Sequence, residues 1–237
     1  MTDSVAVVAG VGPGLGASVA RRFAEEGCSV ALFARSESFV ESLAAELDGG
    51  PGEGLAVPTD LTDPEAVTDA FERVRSELGP VDILVNNASS SAWKGVRELS
   101  AAELDDALAT GVRGAFVCTQ EAVDDMLEGE GGTVIFTGAT SAVRGREGAV
   151  GFSAAKFAAR GMAESMAREL GPEGVHVAHV VVDGGIRPPD AEGDGDGTGE
   201  VESLDPDAIA DAYWYLVEQD RSAWTLELDL RPNAEEF

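Results

Sequence analysis

Lysine is nearly missing from this chain: of 16 basic residues in 237, only Lys94 and Lys156 are lysines. Against them stand 44 acidic residues, leaving a net charge of −28. So acidic a surface repels nucleic acid and anionic membranes, and neither is an expected partner. Cysteine is equally scarce. Cys28 and Cys118 are too few for a disulfide framework and lack metal-ligand spacing, so no metal site is expected. No apolar run approaches the roughly 20 residues needed to span a bilayer. The first residues, Met1-Thr-Asp-Ser-Val5, lack the basic stretch of a signal peptide, which points to the cytoplasm. Hydrophobic residues nevertheless make up 44 % of the chain, enough for a real core, and the length fits one domain over 1–237.

What is present alternates strand and helix. Val5–Val8 is a short continuous apolar run, as a strand buried on both faces requires. Leu15, Val19 and Phe23 then recur every four residues until Gly27 stops the helix. Val30–Phe33, Leu55–Val57, Val81–Val85, Thr133–Phe136, Val175–Val182 and Leu226–Leu230 read as six further strands. Val40, Leu43, Ala44 and Leu47 mark one face of a second helix. Asp63-Pro64 and Asp205-Pro206 supply N-caps with a following proline, and Ser100-Ala-Ala-Glu103 is a capping box opening a long helical region. Another helix is expected from about Gly151 to Leu170. This alternation predicts an α/β fold with a mostly parallel seven-stranded sheet and helices on both faces. From Asp190 to Asp207 eight acids and no bases lie among glycines, so residues 187–205 read as a mobile acidic loop or lid. Glu192–Gly197 within it hints at a calcium loop, but Ser203 at the twelfth position and Pro188-Pro189 argue against one.

Between the first strand and first helix stands Ala9-Gly10-Val-Gly12-Pro-Gly14-Leu15-Gly16. Glycines there let the backbone turn sharply and approach a pyrophosphate, whose charge then meets the helix N-terminus. The spacing Gly10, Gly14, Gly16 resembles that of the short-chain dehydrogenase/reductase family. Other landmarks follow in the family's order: Asp60-Leu61-Thr-Asp63 like its adenine-contacting segment, Asn86-Asn87-Ala88 like its Asn-Asn-Ala-Gly motif, Phe152-Ser-Ala-Ala-Lys156 where it carries Tyr-x-x-x-Lys, and Asp183-Gly184-Gly185-Ile186 at its Pro-Gly turn. The resemblance covers nearly the whole chain. It implies a doubly wound, Rossmann-type sheet binding NAD(P), with Gly10, Gly12, Gly14, Leu15, Gly16, Arg35, Asp60, Leu61, Asn87, Ala88, Lys156 and Ile186 at the cofactor. The second strand ends Ala34-Arg35-Ser36 with no acid until Glu37, which favours NADP, with NAD as second choice.

The departures bear on catalysis. The resemblance implies a tyrosine acid, a serine that places the substrate oxygen and an asparagine in a proton relay; these positions fall on Phe152, Ala139 and Gly111. Lys156 alone remains, at the position that bonds the nicotinamide ribose. General acid catalysis contributes about 10²–10⁴-fold, so a replacement donor is needed. Thr140 and Ser141 follow the vacated serine position, Ser89–Ser91 follow the Asn-Asn-Ala turn, and a water near Lys156 or Lys156 itself is a further option; Lys156 and Ser141 are the catalytic candidates retained. His176 and His179, among valines on the sixth strand, read as packed residues.

Two functions stay open: an oxidoreductase acting on a carbonyl or alcohol of a small molecule with a non-standard proton donor, or a cofactor-binding protein without catalysis, serving as a redox sensor or as structural partner of an active relative. A methyltransferase of similar sheet order would leave Asn86-Asn87-Ala88 and Lys156 unexplained. Trp93 and residues 187–205 would set the substrate. The resemblance implies a homodimer or homotetramer, with Tyr213, Trp214, Tyr215 and Trp224 as candidate interface aromatics. Acid excess with lysine loss matches the surfaces of proteins from salt-loving organisms, where salt screens self-repulsion; a GC-rich genome favouring Arg, Ala and Gly is the other explanation.

Overall fold

Strands that are apolar on both faces decide the architecture. In the computed structural model, which describes residues 4–90, 92–188 and 203–233, strand β1 (Val5–Ala9) is buried throughout. Val5, Val7 and Ala9 pack into one core layer, while Ala6 and Val8 pack into the other. A strand with apolar contacts on both faces needs helices above and below, and the chain supplies them. α1 (Leu15–Glu25), β2 (Ser29–Ala34), α2 (Glu37–Leu47), β3 (Glu53–Pro58), α3 (Pro64–Glu77) and β4 (Ile83–Asn86) form the first half. α4 (Ala101–Leu108), α5 (Ala115–Glu128), β5 (Gly132–Thr137), α6 (Val150–Leu170), β6 (Val175–Val182), α7 (Pro206–Val217) and β7 (Glu227–Leu230) complete it.

The sheet order is β3-β2-β1-β4-β5-β6-β7, with every pairing among the described residues parallel. The chain winds outward from β1 to β3, then crosses back to β4 on the other side of β1. That reversal opens a crevice at the carboxyl ends of β1 and β4, where doubly wound sheets bind ligands. One core layer joins Phe23, Leu32, Val85, Ile135 and Tyr213; the other joins Phe33, Phe71, Leu84, Phe136 and Met126. Phe23 meets Trp214 edge-on at 5.4 Å between centroids, and Phe33 meets Phe71 likewise at 5.3 Å.

The local signals act as their chemistry dictates. Asp63 and Asp205 accept from the backbone N–H two residues on, each at 3.0 Å, capping α3 and α7. Ser100 and Glu103 form the reciprocal capping box of α4. The helix that follows is not continuous: Ala109–Gly114 forms a π-turn between α4 and α5. Gly114 there lies so close to the chain at Leu61 that a Cβ would stand 2.5 Å from its carbonyl oxygen. Close approach to the β3–α3 connection thus reshapes a sequence that reads as one helix.

Three other expectations are refined. Tyr213 and Trp214 are buried within the chain and available to no partner, whereas Tyr215 is 62 % exposed. Arg187 pairs with Asp205, and Ile186 bridges Leu204, closing the base of the expected lid; the calcium reading at Glu192–Gly197 and residues 189–202 of that lid lie outside the described residues. Cys28 and Cys118 are free, buried thiols, pushed up to about 11 and about 12 by desolvation. Among the described residues no helix is long and apolar enough to cross a membrane, and no group of three or more His, Cys, Asp or Glu could hold a metal ion.

Candidate active site

The turn between β1 and α1 has the shape its glycines permit. Gly10 sits at φ +106°, and a Cβ on it would lie 2.4 Å from the Ala88 nitrogen. A Cβ on Gly16 would stand 2.7 Å from the Gly10 carbonyl oxygen. Only glycine lets these segments close. Gly12 and Gly14 differ: a Cβ on either meets nothing within 4 Å, because they border open space. Gly14 caps α1 without any side-chain hydrogen bond, and no acidic residue occupies the first turn. An uncapped helix start facing a cleft attracts an anion through its free amides and dipole. Asn87 fixes the turn from across the switch point, donating from Nδ2 to the Gly10 carbonyl at 2.7 Å.

These segments enclose a cleft of about 510 Å³. Gly10, Gly12, Gly14, Leu15, Gly16, Arg35, Asp60, Leu61, Asn87 and Ala88 all line it, as do Ser36, Thr59, Thr62, Ser89 and Thr110. Lys156, Ser141 and Ile186 do not. Where β2 ends, the lining is Ala34, Arg35 and Ser36, with no acid among them. Arg35 is exposed and makes no ion pair with any described residue. Asp60 accepts from the Thr62 N–H at 2.9 Å and from its hydroxyl at 2.8 Å, and these bonds, aided by the charge of Arg35, hold its carboxyl below the usual range.

The vacated catalytic positions form an apolar stack. Phe152 lies against Trp93 with centroids 4.7 Å apart and planes at 24°. Lys156 Nζ sits 5.6 Å from the Phe152 centroid, and the Arg146 guanidinium covers Trp93 at 5.8 Å. Lys156 is 7 % exposed, and its Nζ donates to the Thr137 carbonyl at 2.7 Å. Burial lowers its pKa to about 8. Ala139 is half-buried, and Gly111 falls within the π-turn opposite Ala155. Ser141 is buried, and its hydroxyl has no hydrogen-bond partner. Thr140 Oγ1 instead donates to Asp183 Oδ1 at 2.5 Å, a contact no sequence spacing announces.

Both histidines are packed as expected. His176 stacks on Trp224 at 5.0 Å, with Nδ1 3.1 Å from the Leu216 carbonyl oxygen and Nε2 2.9 Å from that of Thr225, one of which accepts its single N–H. His179 Nδ1 meets Glu227 at 3.1 Å while Nε2 is buried without a partner, and desolvation depresses both imidazole pKa values.

The sheet order, the glycine turn and the cleft at the switch point define a doubly wound α/β protein whose site opens at the carboxyl ends of β1, β2 and β4. A family model described as short chain dehydrogenase matches residues 4–190. The chain belongs to the short-chain dehydrogenase family. It is 33 % identical over 177 residues to a D-threitol dehydrogenase of Mycolicibacterium smegmatis, covering 75 % of this chain and 68 % of that one. A short-chain dehydrogenase structure from Rhodopseudomonas palustris superposes with a TM-score of 0.82 at 30 % identity, covering 98 % of this chain and all 100 % of the other. A metagenomic short-chain oxidoreductase solved in complex with NADP gives 0.84 at 25 % identity, with 98 % and 99 % covered.

Proposed function

We propose that this protein is an NADP-preferring oxidoreductase that interconverts a carbonyl and an alcohol on a small molecule, using a proton donor other than tyrosine. The observation that carries the reading is convergence: glycines after β1, Arg35 after β2, Asp60 after β3 and Asn87 after β4 border one cleft. The open space at Gly12 and Gly14 fits a pyrophosphate, and the acid-free rim at Arg35 fits a 2′-phosphate. The name of the D-threitol dehydrogenase and the NADP complex of the metagenomic relative support the same chemistry here.

A bound nicotinamide dinucleotide supplies or accepts the hydride. The chain's residues do the rest. The first turn of α1 would hold the pyrophosphate, Arg35 the 2′-phosphate and Asp60 and Leu61 the adenine end, while Asn87 and Ala88 shape the turn beneath. Lys156, fixed by the Thr137 carbonyl, would hold the ribose hydroxyls, and Ile186 would stand at the nicotinamide end, both beyond the residues that line the cleft. Trp93, half exposed on Phe152, borders the substrate and excludes water. Exposed Phe116 and Phe157 on α5 and α6 favour a homodimer or homotetramer, and location in the cytoplasm accords with this chemistry.

The test is a fluorescence titration of NADPH in concentrated salt, followed by a panel of carbonyl substrates. Saturable binding and NADPH oxidation support the proposal. Absence of binding defeats it.

A further inference from the structure

The proton donor is the missing part of this site, and at the carboxyl edge of the sheet one contact joins a hydroxyl to a carboxylate, Thr140 to Asp183. β5 and β6 are neighbours paired through Thr137↔Val180 at their carboxyl ends. Thr140 lies three residues beyond the first strand, and Asp183 directly follows the second. Both therefore stand at the carboxyl edge of the sheet, the edge on which the cleft opens, though outside the residues that line the cleft. The backbone there is firmly tied: Gly138 N–H bonds the Val180 carbonyl at 2.6 Å, and Asp183 N–H bonds the Leu230 carbonyl at 2.8 Å. Across this edge Thr140 Oγ1 reaches Asp183 Oδ1 at 2.5 Å, a length typical of a hydroxyl on an ionised carboxylate. No arginine or lysine among the described residues pairs with Asp183. Asp183 is half-buried, so its carboxylate keeps contact with solvent.

Other donors fail on geometry. Ser141 is enclosed without a partner, and the buried His176 ring has a backbone carbonyl against each of its nitrogens. His179 Nε2 is sealed against Gly138, where a Cβ would stand 2.3 Å away. Ser89 is exposed and bonds only weakly, to the Ser90 carbonyl at 3.4 Å. Lys156 Nζ is buried and donates a hydrogen bond to the Thr137 carbonyl at 2.7 Å. Resting on the oxidoreductase reading above, we infer that Thr140 and Asp183 form the acid–base pair that handles the substrate's hydroxyl proton, beside the position left empty by Ala139.

The step balances. In alcohol oxidation the substrate hydroxyl proton passes to Thr140 Oγ1, while the proton of Thr140 moves to Asp183 Oδ1. The carbonyl π bond forms as the carbon–hydrogen pair departs as hydride to the oxidised nicotinamide dinucleotide. The carboxylic acid of Asp183 then loses its proton to water. In reduction the order reverses: Asp183 reprotonates Thr140 as Thr140 protonates the developing alkoxide.

The experiment compares Thr140→Ser, Thr140→Val and Asp183→Asn with wild type on a substrate from the carbonyl panel. Thermal melting and NADPH affinity are measured beside kcat and KM. Thr140→Ser keeps kcat within a few-fold. Thr140→Val and Asp183→Asn each lower kcat by at least about 100-fold, the lower end for general acid–base catalysis, while NADPH affinity is unchanged. The double variant loses no more than either single one, as two parts of one relay must. Should Asp183→Asn melt early, the serine–valine contrast at Thr140 decides alone. Full kcat in folded Thr140→Val overturns the pair and leaves the oxidoreductase reading standing. Bound NADPH that wild type never oxidises overturns that reading itself.

Discussion

Replacing Arg35 with serine isolates cofactor choice from everything else in the cleft. Arg35 is exposed at the end of β2 and makes no ion pair with any described residue, so its removal breaks no structural contact. Its charge helps to hold the Asp60 carboxyl below the usual range, as the weakest of the influences there. A hydrogen bond to a charged group contributes about 1.5–3 kcal/mol, and solvent exposure argues for the lower end. At about 1.4 kcal/mol per tenfold, Arg35→Ser raises the Kd of NADPH roughly 10-fold. NADH has no 2′-phosphate, so its Kd stays within about twofold, well inside the 1.4 kcal/mol that a tenfold change represents. The assay is a paired fluorescence titration of NADPH and NADH in concentrated salt, where a screening length of about 3 Å leaves only direct contacts. Equal weakening of both cofactors, or of neither, refutes the assignment of Arg35 to the phosphate.

Further outcomes follow from the same residues and from the charge of the chain. Lys156→Met removes a buried ammonium with one hydrogen bond, so thermal stability at neutral pH holds or rises while NADPH affinity falls at least about 10-fold. Because burial lowers the Lys156 pKa from 10.5 to about 8, the unfolded chain binds more protons between those values. Wild-type stability relative to Lys156→Met therefore rises from about pH 8 to 10.5 in urea titrations, and a flat difference contradicts the burial argument. Phe152→Tyr places a phenol beside Lys156, and kcat increases about 10-fold or more, further with Ala139→Ser; a fall in kcat shows instead that the stack on Trp93 is required. With a charge of −28, the melting temperature climbs as KCl is raised from about 0.1 M towards molar concentrations, where the screening length shortens from about 10 Å to about 3 Å.

Local chemistry made much of this fold legible. Val5–Val8 could only be a strand buried twice, Asp63-Pro64 and Ser100–Glu103 could only open helices, and the glycine turn lay where a strand meets a helix. The cofactor cleft follows from those pieces because a doubly wound sheet brings its loops to one edge. What stayed hidden depends on which strands become neighbours. The Thr140–Asp183 contact exists because β5 pairs with β6, and Asn87 clamps Gly10 because β4 lies beside β1. The π-turn required the approach of Gly114 to Leu61, and the Trp93–Phe152 stack required α6 to meet the loop after β4. Reading Tyr213 and Trp214 as interface aromatics failed for the same reason: Tyr213 bonds Thr137 of β5 and Trp214 packs on Phe23 of α1. The spare lysine at position 156, by contrast, drew notice from composition alone, and it is the buried one.

The central claim is that redox chemistry survives without tyrosine. It is tested by following the absorbance of NADPH bound to wild-type protein after mixing with each carbonyl of the panel, with product identified at the end. Stoichiometric loss of NADPH with formation of the matching alcohol is the predicted result. NADPH that stays reduced in wild type, but is consumed once Phe152→Tyr and Ala139→Ser are combined, would contradict the account.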